Sequence, residues 1–277
     1  MFECSENMCS NNPILNPQKP HSDTPVDIVT MSGLAVLFQS RNGNVAALKD
    51  IVIRVSQGDF VSIIGPSGAG KSTLLRCMNL LVAPTAGAVS FRGVDTRQLT
   101  ASSRRNIRRQ TGMIFQRHQL LARFTVRQNV AMGLFGKYTF WRSAVGFLNG
   151  RFDDKDEQAI DSVLRELGIY EKQHQRVDQL SGGQQQRVAI ARAMVQSPVL
   201  LLADEPIASL DEGRAADVMQ NLLELNRKGL TVVCNLHDVD IAKKYSSRII
   251  ALRHGKILFD GVPDALSQEI REQIFAL

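Results

Sequence analysis

The eight residues Gly65-Pro66-Ser67-Gly68-Ala69-Gly70-Lys71-Ser72 have the types and spacing of an anion cradle. Glycines let the backbone fold tightly enough for consecutive N–H groups to converge on phosphate oxygens. In this G-x-x-x-x-G-K-[ST] pattern Lys71 would reach the β- and γ-phosphates of a nucleotide, and the Ser72 hydroxyl would coordinate Mg²⁺. Thr73 is a further phosphate contact. The setting matters more than the string. Phe60-Val61-Ser62-Ile63-Ile64 is a short apolar run that reads as a strand, and a helix is expected from Lys71, its positive N-terminal end directed at the same anion.

A second cluster follows at Val199-Leu200-Leu201-Leu202-Ala203-Asp204-Glu205, an apolar strand ending in two carboxylates. Ligands of parallel sheets bind beyond the carboxyl ends of the strands, so both acids are expected to project towards the phosphate loop. Asp204 suits the Mg²⁺ shell, directly or through water. Glu205 suits a general base, or a group that orients the attacking water. Read alone, the pair is also compatible with an exposed strand end. His237 follows the run Thr231 to Leu236 and so occupies another strand end in the same sheet. That place suits a γ-phosphate contact, with a structural histidine as the alternative.

Leu180-Ser181-Gly182-Gly183-Gln184-Gln185-Gln186-Arg187 opens a helix with small residues and free amide groups, which makes a second anion site. One nucleotide cannot readily use both sites within a single compact domain. A symmetric pair of chains is therefore expected, with two nucleotides buried at the interface and each phosphate loop facing the other copy's Ser181 turn.

The elements that must hold these residues alternate along the chain. An amphipathic helix is expected from Asp156 to Leu167, with Ile160, Val163, Leu164 and Leu167 on one face and Gly168 at its end. Gln184 to Val195 reads as helix, and Val199 to Ala203 as a buried strand. Asp211 caps a helix that runs to about Lys228, where Gly229 stops it, and Thr231 to Cys234 is a β-branched strand. Arg248 to Leu252 and Lys256 to Phe259 flank a hairpin turn at Arg253-His254-Gly255. Strands alternating with helices imply a largely parallel sheet covered on both faces.

The chain has 277 residues, enough for one α/β domain with an inserted subdomain. Hydrophobic residues at 44% against 22% charged make the body globular. The net charge of +6 is compatible with nucleotide, nucleic acid or an anionic membrane surface, and Arg104, Arg105, Arg108 and Arg109 form its clearest cluster. That cluster is either a solvated helix face or a polyanion-facing patch. Cys4, Cys9, Cys77 and Cys234 are too scattered for a disulfide framework or a zinc site. No apolar stretch is long enough to span a bilayer and no N-terminal signal is evident, so a cytoplasmic chain is expected. Residues 1–27, with Pro13, Pro17, Pro20 and Pro25, read as a disordered or loosely attached leader.

Taken together, the phosphate loop, Phe115-Gln116, the Leu180 to Arg187 run, Asp204-Glu205-Pro206, Ser209-Leu210-Asp211 and His237 make the chain resemble the nucleotide-binding subunits of ABC transporters from about Ile28 to Gly261. The resemblance implies a P-loop NTPase fold of ABC type, with a mainly parallel core sheet, an antiparallel β subdomain and a helical subdomain at about 116–179, followed by a helical tail at 262–277. It implies ATP and Mg²⁺ as cofactors, with Glu205, His237 and Gln116 catalytic. Phe38 then stacks on adenine, although alone it reads equally as a core aromatic. Gln116 links Mg²⁺ or the attacking water to the membrane partner, while Ser181, Gly182, Gly183 and Gln184 meet the γ-phosphate across the dimer. Asp211 lies in the loop that crosses the interface. The implied partners are a second copy, polytopic permease subunits and, indirectly, an extracytoplasmic solute-binding protein, at the cytoplasmic face of the membrane.

Within that family, Thr139-Phe140-Trp141-Arg142 with the insert to about Gly150, Ile207-Ala208 after Pro206, and His237-Asp238-Val239-Asp240 look like the phosphonate-import ATP-binding proteins. Asp238 departs from the Gln expected there. Phosphonates or related oxyanions such as phosphite are the implied cargo, with another small solute as the alternative. Tyr138 to Trp141 is either an apolar anchor or a contact to the membrane subunit. A nucleic-acid-directed ABC ATPase is the remaining reading. Its relatives usually carry two cassettes or a long coiled coil, and this chain has one cassette and no heptad run, so no nucleic-acid partner is expected.

Overall fold

The computed structural model describes residues 26–40, 43–116, 119–137, 152–208 and 210–276. Among these, six strands form one sheet in the order β10-β9-β3-β8-β7-β6. They are β3 (Phe60–Ile64), β6 (Thr111–Ile114), β7 (Leu200–Asp204), β8 (Thr231–Asn235), β9 (Arg248–Arg253) and β10 (Lys256–Gly261). All neighbours pair in parallel except β10, which turns back on β9 as the expected hairpin. Every residue of β3, β7 and β8 is buried, as a parallel sheet covered on both faces requires.

Side-chain alternation divides each strand between two cores. Leu200, Leu202, Val233 and Ile63 belong to one cluster, and Leu201, Ala203, Val232 and Cys234 to the other. The first cluster lies under a four-stranded antiparallel sheet in the order β2-β1-β4-β5, made of β1 (Asp27–Ser40), β2 (Gly43–Ser56), β4 (Ala86–Phe91) and β5 (Val94–Asp95). Helix α1 (Lys71–Met78) joins the same core through Leu74, Leu75 and Met78. Helix α2 (Ala101–Arg109) buries Ile107 alone and leaves Arg104, Arg105 and Arg108 exposed.

The second cluster is covered by α3 (Val126–Ala131), α4 (Asp154–Glu166), α5 (Gly182–Met194), α6 (Glu212–Arg227) and α7 (Val239–Tyr245). Local signals fix these boundaries. Ser181 caps α5 in a reciprocal box with Gln184, and Asp211 caps α6 through the Arg214 amide at 3.0 Å. Gly168 and Gly229, both at positive φ, follow α4 and α6. The helices start two residues earlier than the periodicity suggests for α4 and α5, because their N-caps lie ahead of the first apolar position. Strand β7 is displaced by one residue from the expected Val199–Ala203.

Residues 116–179 contain α3 and α4 and, among the described positions, no strand. At the C-terminus α8 (Gln268–Phe275) buries Ile274 in the second core, and the Arg253 guanidinium binds the Ala276 carbonyl at 3.0 Å. The leader up to residue 25, Ser209, and the whole Tyr138-to-Gly150 insert lie outside the described residues.

Asn129 on α3 is fully buried and ties down the chain between Gln116 and α3. Its side chain accepts from the Leu121 amide at 2.8 Å and donates to the carbonyls of Leu121 and Thr125 at 3.1 and 3.0 Å. The two carbonyls keep the Phe124 and Asn129 amides as donors, so Asn129→Ala would strand the Leu121 amide alone, at about 1–3 kcal/mol for one unsatisfied group. We expect a lower urea midpoint with an unchanged slope.

Candidate functional site

Strand register brings the site together. Ile63 of β3 pairs with Asn235 of β8, and Asn235 pairs with Asp204 of β7. The parity that sends Leu202 and Val233 into the first core sends Asp204 and Asn235 to the same face as α1. The phosphate loop between β3 and α1 is therefore beside Asp204 without any long side chain having to reach. The Ser72 hydroxyl donates to Asp204 Oδ1 at 2.8 Å, and the Asn235 amide donates to the same oxygen at 2.7 Å. Asp204 is 3% exposed.

The loop itself is shaped by close backbone approach. Gly65, Gly68 and Gly70 have φ of 142°, 79° and 105°. A Cβ at Gly65 would lie 2.1 Å from the Leu252 carbonyl oxygen, and one at Gly70 would lie 2.4 Å from that of Ala47. The Gly255 amide donates to the Ala69 carbonyl at 3.1 Å. The loop is thus braced by β2 on one side and the β9–β10 turn on the other. Ser67 and Gly68 are exposed at its crest, while Pro66 and Thr73 are half-buried. Lys71, 5% exposed, donates from Nζ to the carbonyls of Gly65 at 2.7 Å and Pro66 at 3.0 Å.

Two chain segments converge on Glu205. His237 Nε2 lies 2.6 Å from Glu205 Oε1, and the Gln116 amide donates to Oε2. Glu205 sits in the left-handed region at φ 54°, which costs a non-glycine residue about 1–3 kcal/mol. Such strain persists only where the surroundings enforce it. Gln116, Glu205 and His237, read from sequence as a catalytic group, are brought together, and they share the carboxyl end of the sheet with Asp204 and Ser72.

The Ser181 turn is elsewhere. Its cleft is lined by Gly183, Gln184, Arg187, Arg214 and Asp217, with no phosphate-loop residue. A Cβ at Gly182 would first meet Leu210, and one at Gly183 would first meet Arg214. The Gln184 side chain is engaged in the cap, accepting from the Ser181 amide at 3.1 Å. Asp211, at the start of α6, pairs with Arg214 at 3.1 Å. Phe38 is 44% exposed on β1, which removes the reading of a core aromatic. It pairs with Val45, two residues before Ala47 and hence next to the brace of the phosphate loop. Sequence reasoning passed over that brace and Asn235, because neither a backbone carbonyl nor a single amide at a strand end carries a pattern.

A phosphate loop, two strand-end carboxylates and a second glycine-rich helix start on a β/α cassette define a nucleotide-binding domain of the ABC class. The family model described as ABC transporter matches residues 48–208, and the chain belongs to that family as an ATP-binding subunit. It is 45% identical over 251 residues to the phosphonates import ATP-binding protein of Bradyrhizobium diazoefficiens, covering 90% of each chain. The second such protein of Oceanobacillus iheyensis is 44% identical over 235 residues, 84% of this chain and 91% of that one. Among solved structures, a dimeric ATP-binding cassette in a post-hydrolysis state with ADP and Pi superposes with a TM-score of 0.73 at 33% identity, over 85% of this chain and 98% of that one.

Burial holds the Lys71 pKa below the ordinary 10.5, and the charges of Glu205 and Asp204 partly oppose the shift. Phosphate needs the charged form, so ATP affinity must fall as pH rises through the lowered value. Titrating ATP binding across the alkaline range should show the decline beginning below 10.5. A profile flat to that point would contradict the lowered Lys71 pKa.

Proposed function

We propose that two copies of this chain close on two MgATP molecules and so energise an importer of phosphonates or closely related phosphorus oxyanions. The observation that carries the hydrolytic part is the convergence of Gln116 and His237 on Glu205 beside the Lys71 loop. Lys71 and the backbone N–H groups of the Gly65-to-Thr73 loop, which Pro66 lacks, hold the phosphates. Mg²⁺ takes hard oxygen ligands, typically one or two carboxylates plus substrate phosphates, and Ser72 with Asp204 fits that donor set. Among the described residues no group of three His, Cys, Asp or Glu side chains could hold a metal by itself, and substrate phosphate with water would complete the shell. The bound ion would neutralise charge on the β- and γ-phosphate oxygens. Glu205 orients the attacking water and accepts its proton, while His237 contacts the γ-phosphate.

Phe38, exposed beside the loop brace, stacks on adenine. The Ser181, Gly182 and Gly183 turn of the second copy meets the γ-phosphate at its helix N-terminus, and Asp211 lies in the loop that crosses between copies. Gln184 supports that turn through the cap. Closure is driven by ATP binding better to the closed pair than to the open one.

No described helix is long and apolar enough to cross a membrane. We place the chain at the cytoplasmic face, held there by permease subunits over the groove lined by Leu81, Met113, Phe115, Gln119 and Met132, next to Gln116. A solute-binding protein acts on the far side. The cargo assignment is supported by the names of the relatives and by the Ile207-Ala208 and Val239-Asp240 likenesses. It is tested by reconstituting the transporter with its binding protein. Methylphosphonate or phosphite should stimulate ATP hydrolysis, and stimulation by an unrelated solute alone would refute it.

Glu205→Gln should bind ATP, form a stable dimer and lose about 10²–10⁴-fold in turnover, the usual contribution of a general base. Single-turnover hydrolysis on the isolated dimer measures this. Rapid turnover would remove Glu205 from the role.

A further inference from the structure

We infer that Asn235 is a positioning residue for the Asp204 carboxylate, holding it for the metal from the sheet side. The inference rests on the assignment of Asp204 to Mg²⁺ above. Asn235 ends β8, is fully buried, and donates from Nδ2 to Asp204 Oδ1 at 2.7 Å. The amide orientation is set by chemistry, because a carboxylate offers only acceptors and Nδ2 must face it. The consequence is that Asn235 Oδ1 is buried with no hydrogen-bond partner among the described residues.

An unpaired buried acceptor destabilises the fold, and an apolar side chain at this place would avoid it. The neighbouring positions Val232, Val233, Cys234 and Leu236 are apolar and buried. Asn235 therefore serves something other than stability, and among the described residues its one side-chain hydrogen bond is to the carboxylate. The two donors to Oδ1 have different anchors. Ser72 ties Asp204 to the phosphate loop, whereas Asn235 ties it to the rigid centre of the sheet. Both bonds fall on Oδ1, so neither occupies Oδ2, and together they fix the carboxylate's rotation. Asn235 touches neither substrate nor reacting atoms in this account. It acts through Asp204, as the hydrogen-bonding partners behind metal ligands commonly do.

The test uses the full-length chain and Mn²⁺ as the probe, read by paramagnetic resonance in the presence of a non-hydrolysable ATP analogue. Asn235→Val should weaken Mn²⁺ binding by about tenfold, the lower end for losing a partner behind a ligand. Nucleotide affinity in chelator should stay unchanged, and the melting temperature should stay equal or rise. Asn235→Ser, small and polar, carries the same measurements should the valine variant fail to fold. Unchanged Mn²⁺ affinity in a folded variant, with Asp204→Asn losing it, would overturn the inference and leave the metal assignment intact. A parallel loss of metal binding, metal-free nucleotide binding and melting temperature would show a structural role and overturn it too. Full Mn²⁺ affinity in Asp204→Asn would instead remove the reading on which the inference rests.

Discussion

Two turns built to receive anions, on one chain but not in one cleft, are the constraint from which the functional account follows. The loop before Lys71 lies at the carboxyl end of β3, against Asp204. The Ser181 turn packs beside Leu210 and Arg214 at the start of α6. Each is a helix start, a place suited to an anion, and the proposed function has each meet phosphate. A single chain offers a triphosphate one of them. In the proposed pair the second comes from a symmetric second copy, which would supply it at both sites at once.

Within the chain, the catalytic end is assembled by the sheet and strained where chemistry is expected. Register aligns Ile63, Asn235 and Asp204, and parity puts the last two on the α1 face. Glu205, one residue beyond the strand, adopts a left-handed backbone and is met by His237 and Gln116 from either side. Lys71 is buried against the carbonyls of its own loop. Each of these features weakens the fold locally, through backbone strain, a desolvated ammonium or, at Asn235, an orphaned acceptor. The fully buried strands on either side supply the stability that offsets them.

Much of this was legible in the sequence, for reasons that differ by element. Asp211, Gly168 and Gly229 mark helix ends by their local capping chemistry, so α4 and α6 could be placed to within two residues. The apolar runs at β3, β7 and β8 gave a buried parallel sheet because no alternation interrupts them. That Glu205 and His237 lie at strand ends of one sheet followed from the apolar runs before them, whereas their contact at 2.6 Å did not. Contacts between elements distant in sequence were not legible. The Ala47 and Leu252 carbonyls that require Gly70 and Gly65 are backbone atoms with no residue signature. Asn235 is one amide in an apolar run. Phe38 was ambiguous because one aromatic in a strand says nothing about which side of the sheet is covered.

The central claim, that each phosphate loop works with the other copy's Ser181 turn, is tested most directly by mixing two inactive variants. Lys71→Ala and Ser181→Arg are co-assembled with the permease subunits, and ATP hydrolysis is measured for each alone and for the mixture. With the two turns acting between copies, a mixed pair has both defects in one site and an intact second site, so activity reappears. With both turns acting within one chain, each site keeps one defect and the mixture stays as inactive as its components.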